Sequence, residues 1–324
     1  MVKLSEIAKE SGFSIPVVSR VLSPKPHKGA RVADSTRKHI KEVAKRLGYR
    51  PNRNAEFLKR GQNPVIGCFL PSRTDSLLAR LMKGISEEAE KNNFPLSFYF
   101  DMTAKGYLEF IERSKETKNC GIITYPYFKQ SAEAQKVVEE YQANGGKIVL
   151  IQGCNQRWEW DNCASVSIDD YHGGKIAAKH LLMKGAKLFF TQQYPEIPER
   201  ISGFTDVVGK SEIFSSLEKL LQSTLEAVNK NKNVPLGIYV PRDPDAVTLV
   251  CELQKNNIKV GKEVLIVGYG DMYMTKFLRP ALTTVAQPFE EIAGLAVKKL
   301  VAEIYGKKQI SEFIKPELII RDSA

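Results

Sequence analysis

Ser14, Ile15, Pro16, Val17, Ser19 and Arg20 form one short run near the N-terminus, and their types suit the reading of DNA base edges. An arginine can donate a bidentate pair to guanine O6 and N7, while apolar side chains such as Ile15, Pro16 and Val17 can meet a thymine methyl. Serine hydroxyls both donate and accept. No catalytic or metal constellation competes with this run. The chain has no Gly-x-Ser-x-Gly elbow, Walker A loop, His-Glu-x-x-His pair or dinucleotide fingerprint. Its four histidines (His27, His39, His172, His180) are not at ligand spacing. Its five cysteines (Cys68, Cys120, Cys154, Cys163, Cys251) form no Cys-x-x-Cys pair, so neither a zinc site nor a disulfide framework is expected. The expectation is a non-enzyme with no metal and no cofactor.

The elements that must position the run are three short helices. Leu4, Ile7 and Ala8 share one face, and Ser11-Gly12 ends the first helix. A second helix begins after Ser14, a good N-cap, with Pro16 in its first turn. A third runs from about Ala33 to Leu47, with Ile40, Val43, Ala44 and Leu47 at helical spacing. Ala8, Gly12 and Val18 have helix-turn-helix logic: a small residue for close approach, a glycine for the turn, a β-branched residue beneath. In that motif the second helix lies in the major groove.

Charge agrees. The chain of 324 residues carries a formal +11, of which residues 1–60 hold +10 and the rest only +1. A basic head on a near-neutral body points to a polyanion partner. No run approaches the roughly 18 apolar residues of a membrane span, and the charged N-terminus has no signal-peptide core. A cytoplasmic protein without a membrane partner is expected.

The head continues into Tyr49-Arg50-Pro51-Asn52-Arg53-Asn54-Ala55-Glu56-Phe57-Leu58-Lys59-Arg60. With Leu4-Ser5-Glu6-Ile7-Ala8, Val18-Ser19-Arg20-Val21-Leu22, Thr36-Arg37 and Leu47-Gly48-Tyr49-Arg50-Pro51-Asn52, the chain resembles the lactose/galactose repressor (LacI/GalR) family of bacterial transcription regulators over its whole length. The resemblance implies a hinge helix from Asn52 to about Arg60 that orders on operator and enters the minor groove. Leu58 would be the wedge at the central base step, and Tyr49, Asn52, Arg53 and Ala55 would join the DNA contacts. The loop Ser23–Arg31 is longer than the family's turn and carries Lys25, Lys28 and Arg31, which suits added phosphate contacts or a merely solvated loop.

From Pro64 the pattern becomes short apolar runs alternating with amphipathic helices. The strands expected are Val65–Leu70, Leu96–Phe100, Gly121–Tyr125, Lys147–Ile151, Ser165–Ile168, Lys187–Thr191, Leu236–Val240 and Val264–Tyr269. The helices expected are Leu77–Asn92, Lys105–Thr117, Ala132–Gly145, Gly173–Gly185, Glu212–Asn229, Asp245–Asn256 and Phe289–Gly306. Such alternation predicts parallel α/β sheets. The resemblance implies a two-lobed, periplasmic-binding-protein-like body with chain crossings near 165–169, 284–288 and 316–320. The domains are then a helix-turn-helix domain over 1–50, a hinge and linker over 51–62, and an effector domain over 63–324. The last divides into an N-lobe (about 63–164 and 288–317) and a C-lobe (about 165–287). The family also accounts for Asp169-Asp170-Tyr171-His172 as a crossover entering a helix, in place of an acid–base pair.

Ligands of such sheets bind beyond the carboxyl ends of strands. Arg200 matches the family's effector-contacting arginine. The family's Asn-Asp after the strand at 236–240 reads Arg242-Asp243 here, and its Asp-Asp after the strand at 264–269 reads Gly270-Asp271. If these positions line the site, Arg200 and Arg242 would favour an anionic effector such as a sugar acid, a sugar phosphate, a sulfated sugar or another carboxylate. Asp271, Asp75 at the entry segment, and Trp158 and Trp160 as a stacking wall complete the candidate set. The stretch between Phe204 and Pro235 is shorter than in the family, and no site residue is named between Asp206 and Val234. The expected whole is a homodimeric repressor on a near-palindromic operator, controlled by a small effector between its lobes. The alternative is the same regulator controlled by a protein corepressor.

Overall fold

The computed structural model describes residues 2–23, 32–49, 57, 61–72, 76–125, 131–152, 163–230 and 234–324. The head is three helices: α1 (Leu4–Ser11), α2 (Ile15–Leu22) and α3 (Asp34–Arg46). Gly12 ends α1 at φ 72°, a left-handed conformation that glycine adopts at no steric cost, and the Phe13 N–H then bonds back to the Ala8 carbonyl at 3.2 Å. Ile7, Val18 and Ile40, one from each helix, are fully buried and meet Ala8, Val21, Val43 and Ala44 in one small core. An Arg46–Glu10 ion pair at 2.7 Å links α3 to α1 on the surface.

The body alternates strands and helices. Its strands are β1 (Asn63–Leu70), β2 (Leu96–Phe100), β3 (Asn119–Thr124), β4 (Lys147–Ile151), β5 (Ala164–Ile168), β6 (Leu188–Gln192), β7 (Glu212–Phe214), β8 (Leu236–Tyr239), β9 (Val264–Gly270), β10 (Thr283–Ala286), β11 (Glu312–Ile314) and β12 (Glu317–Ile319). They form two six-stranded sheets, ordered β11-β5-β4-β3-β1-β2 and β12-β10-β9-β8-β6-β7. The second sheet is parallel except where β12 runs antiparallel to β10. The helices are α4 (Ser76–Lys91), α5 (Ala104–Glu116), α6 (Ala132–Ala143), α7 (Asp170–Met183), α8 (Pro198–Val208), α9 (Leu217–Lys230), α10 (Asp243–Lys255) and α11 (Phe289–Ile304).

The chain divides into two compact units. One holds Met1–Leu70, Ala89–Val149 and Val297–Ile310, and the other Pro71–Glu88, Leu150–Ala296 and Ser311–Ala324. The second sheet lies in the latter and is covered on both faces, as parallel sheets require. Phe190, Ile238 and Ile266 pack with Leu249 and Leu253 of α10 on one face. Phe189, Tyr239 and Val267 pack with Leu181 of α7 and Phe204 of α8 on the other.

Two departures from the sequence reading matter. The helix expected over Glu212–Asn229 begins as a strand: Ile213 and Phe214 pair with Thr191 and Gln192. The chain then turns at Ser215-Ser216, where Ser216 Oγ accepts the Lys219 N–H at 3.3 Å, and α9 starts. Helix α8 and strands β10, β11 and β12 were not expected as elements, although two of the strands fall where chain crossings were placed.

Candidate DNA interface and ligand site

On one face of α2 the Ser14, Ser19 and Arg20 side chains make no hydrogen bonds among the described residues. Ser14 has extended backbone before the helix, and its side chain makes no capping bond. Ser14, Pro16 and Ser19 are exposed, and Ile15 is 48% exposed despite its size. Arg20 is half-buried and has no hydrogen-bond partner among the described residues. The first turn of α2 carries no acidic residue, so the positive end of the helix is unneutralised. Val17 is half-buried against the head core, which divides its surface between packing and any other contact. Tyr49 also packs on that core, and burial raises the pKa of its phenol. Asn52, Arg53, Ala55 and Leu58 lie outside the described residues, as do residues 24–31 of the basic loop.

The second site lies at the carboxyl edge of the second sheet, where α7 and α8 meet backbone to backbone. A Cβ on Gly174 would lie 2.1 Å from the Arg200 carbonyl oxygen, and one on Gly203 would lie 2.0 Å from that of Tyr171. Asp169 caps α7 by accepting the His172 N–H at 2.8 Å. The next residue, Asp170, then faces α8. Arg200 Nε donates to Asp170 Oδ1 at 3.1 Å, and Arg200 Nη1 donates to the Pro241 carbonyl at 2.9 Å. The guanidinium carbon lies 3.7 Å from the centroid of the Tyr269 ring. The Tyr269 hydroxyl donates to the same Asp170 oxygen at 2.5 Å. Burial opposes the Arg200 charge, but Asp170, Tyr269 and Tyr239 together outweigh it, and the Arg200 pKa is raised. Burial and Asp170 together raise that of Tyr269.

Beside this cluster, Arg242 precedes α10 and is exposed, its guanidinium 5.5 Å from the Tyr194 ring centroid. The Tyr194 hydroxyl donates to Asp245. Asp243 is fully buried and accepts from Met272 N–H and Thr284 Oγ1. Asp271 takes a positive φ of 51° and pairs with Arg321 at 2.6 Å. The Tyr239 hydroxyl and Thr191 Oγ1, on neighbouring strands at one register, are buried with no hydrogen-bond partner among the described residues. Asp75, Trp158 and Trp160 lie outside the described residues.

The structure therefore brings Arg200, Arg242 and Asp271 to one sheet's carboxyl edge, but it gives Arg200 and Asp271 counter-ions. Sequence reasoning missed Asp170, Tyr269, Tyr239 and Arg321. Asp170 stands 30 positions from Arg200 and beside a helix-capping Asp169, so only a doubled acid at a strand end could have signalled it. Among the described residues, no group of His, Cys, Asp and Glu side chains could hold a metal ion, and no helix is long and apolar enough to cross a membrane.

Residues 3–52 match the model described as bacterial regulatory proteins, lacI family, and residues 190–324 match the periplasmic binding protein-like domain. The chain is 27% identical to the HTH-type transcriptional regulator DegA of Bacillus subtilis (strain 168), over 98% of this chain and 96% of the relative. It is 25% identical to the ribose operon repressor of the same organism, over 96% and 94%. Its fold is similar to that of a lac repressor dimer bound to operator and the anti-inducer ONPF, with a TM-score of 0.67 and 20% identity over 99% of this chain and 98% of that one.

Proposed function

Because the chain belongs to the lacI family of bacterial regulatory proteins, and is a DNA-binding transcription regulator and not an enzyme, we propose that a small polyhydroxylated ligand controls its affinity for operator. The ligand would sit at the carboxyl edge of the second sheet, with Arg200, Arg242 and Asp271 among its contacts. The observation that carries the DNA half is the open face of α2, where Ser14, Ile15, Pro16 and Ser19 are exposed and Arg20 has no hydrogen-bond partner among the described residues. The sugar class is supported by relatives such as the ribose operon repressor. As a homodimer, the protein would set one head on each half of a near-palindromic operator, with Asn52, Arg53, Ala55 and Leu58 at its centre. Ligand binding would act by favouring one arrangement of the body, and only its differential affinity can move DNA affinity.

An anionic effector requires arginines with charge to spare. Arg200 does not meet that condition, because Asp170 already balances it, which leaves Arg242 as the candidate source of positive charge. The test has two arms. Selection from random duplexes should enrich a near-palindromic site, and enrichment of nothing rejects the operator reading. Melting in the presence of neutral sugars and sugar acids should give a shift that grows with concentration. If no sugar of either kind shifts the melt, a protein corepressor replaces the small ligand.

A further inference from the structure

Arg200 is the arginine on which the ligand reading depends, and most of its surface is occupied. Asp170 holds Nε, the Pro241 carbonyl holds Nη1, and the Tyr269 ring covers one face. Nη2 alone among its nitrogens has no partner among the described residues. The Asp170 and Arg200 side chains are only 12% and 10% exposed. Tyr269, itself buried, adds its hydroxyl to the same carboxylate. A desolvated pair of this kind behaves as one neutral unit, since moving either partner strands the charge of the other.

A ligand reaching Arg200 therefore meets little net charge and a broken fork. Side-on recognition of a carboxylate uses Nε together with an Nη N–H, and Asp170 occupies Nε. A second carboxylate on the same guanidinium would also stand close to Asp170, and like charges at that range disfavour each other. Elsewhere on this edge Arg242 is the exposed positive charge among the described residues, and the acidic side chains are already engaged. Asp271 is matched by Arg321. Buried Asp243 is held by a backbone N–H and a hydroxyl. Asp245 takes the Tyr194 hydroxyl below exposed Arg242.

The geometry points to Asp170 as the residue that sets the charge class of the effector, by holding Arg200 in a neutral pair that rejects carboxylate ligands and offers Nη2 to a hydroxyl or ring oxygen. This assignment rests on the ligand site proposed above. Asp170 is a positioning residue, since it acts through Arg200.

The test uses the full chain, with sodium glucuronate and glucose as probes and sodium chloride as the ionic-strength control. Wild type should show no stabilisation by glucuronate beyond that of chloride. Asp170→Asn keeps the shape and an acceptor for Nε but removes the charge. It should bind glucuronate about tenfold more tightly than wild type, the worth of one charge-assisted contact, with glucose binding little changed. Adding Arg200→Gln to Asp170→Asn should abolish that gain. A merely structural Asp170 would alter melting without changing the glucuronate-to-glucose ratio. The assignment is overturned if the variant responds to glucuronate no more than wild type, or if wild type itself binds glucuronate well. Should Asp170→Asn lose its cooperative melt, the double variant decides: recovered folding supports the neutral pair, and failure to recover while Arg200→Gln alone melts normally overturns it. If no neutral sugar binds wild type but Asp170→Asn gains glucuronate, the ligand reading fails and the Asp170 assignment stands. Neutral-sugar binding without that gain sinks the assignment alone.

Discussion

Thr284 Oγ1 donates to the Asp243 carboxylate at 2.7 Å, and the Met272 N–H reaches its other oxygen at 2.8 Å. The site is tight: a Cβ on Gly268 would lie 2.3 Å from Asp243 Oδ1. Burial pushes the carboxyl up to about 6, against these hydrogen bonds and with some help from the charge of Asp271. An unfolded aspartate titrates near about 3.9, so the folded chain binds this proton more tightly. Its stabilising contribution is full below the unfolded value and is lost as pH rises through about 6. At about 1.4 kcal/mol per pH unit, the swing is on the order of 2–3 kcal/mol. His180 has the opposite sign, because burial lowers its pKa and its contribution falls as pH drops. The quantity to measure is therefore the urea stability of wild type minus that of Asp243→Asn. It should fall between about pH 4 and 6 and level off above about pH 7, and a flat difference across that range would show that the ionised carboxylate is not disfavoured.

The contact that aligns Asp170 with Arg200 is made of glycines. An alanine at Gly174 or Gly203 would press into the backbone of the facing helix, which a packed interior absorbs at a cost of about 1–3 kcal/mol. Because both glycines serve one interface, the double variant should be destabilised by less or more than the sum of the singles. Denaturant unfolding of the four proteins measures this. Two alanine variants within about 0.5 kcal/mol of wild type would show that α7 and α8 do not depend on the missing side chains.

Much of this frame is legible in the residues. The buried strands β6, β8 and β9 read as short apolar runs, as strands covered on both faces do, and Arg200 is marked by the resemblance. What escaped has physical causes. Strands β7, β11 and β12 have three residues each, too few for a period to show, and they are set by pairing with distant partners. The charge of Arg200 was legible, but its neutralisation was not: Asp170 and Tyr269 come from other elements, 30 and 69 positions away. The exposed position of Arg242 and the burial of the adjacent Asp243 likewise follow from how α10 starts after β8, where the extended backbone of Arg242 gives way to the helix at Asp243.

In the head, the Arg20 guanidinium on α2 has no hydrogen-bond partner among the described residues. Arg20→Ala should lower affinity for the selected operator by about 1–3 kcal/mol and relax preference at one base pair. Fluorescence anisotropy against duplexes that differ at single positions gives both numbers. Wild-type binding should weaken steeply with salt, since each phosphate neutralised contributes a slope near about −0.9, and Arg20→Ala should leave that slope nearly unchanged. Unaltered discrimination among the duplexes would remove Arg20 from the base contacts.

Tyr239 supplies a test inside the ligand edge. Its side chain is fully buried, its ring stacks on Phe204 with centroids 4.9 Å apart, and its hydroxyl has no hydrogen-bond partner among the described residues. The neighbouring charges of Arg200 and Asp170 act on that hydroxyl in opposite directions. A buried polar group left unpaired costs about 1–3 kcal/mol, whereas Tyr239→Phe keeps the ring and its stacking. The variant should therefore unfold at higher urea concentration than wild type, by an amount near the lower end of that range. Arg200 and Asp170 bond to each other and to Tyr269 and Pro241, not to Tyr239, so their pair should survive the change and the glucuronate-to-glucose ratio should stay that of wild type. A destabilised Tyr239→Phe would mean that the hydroxyl is satisfied in solution and belongs to the polar network it borders.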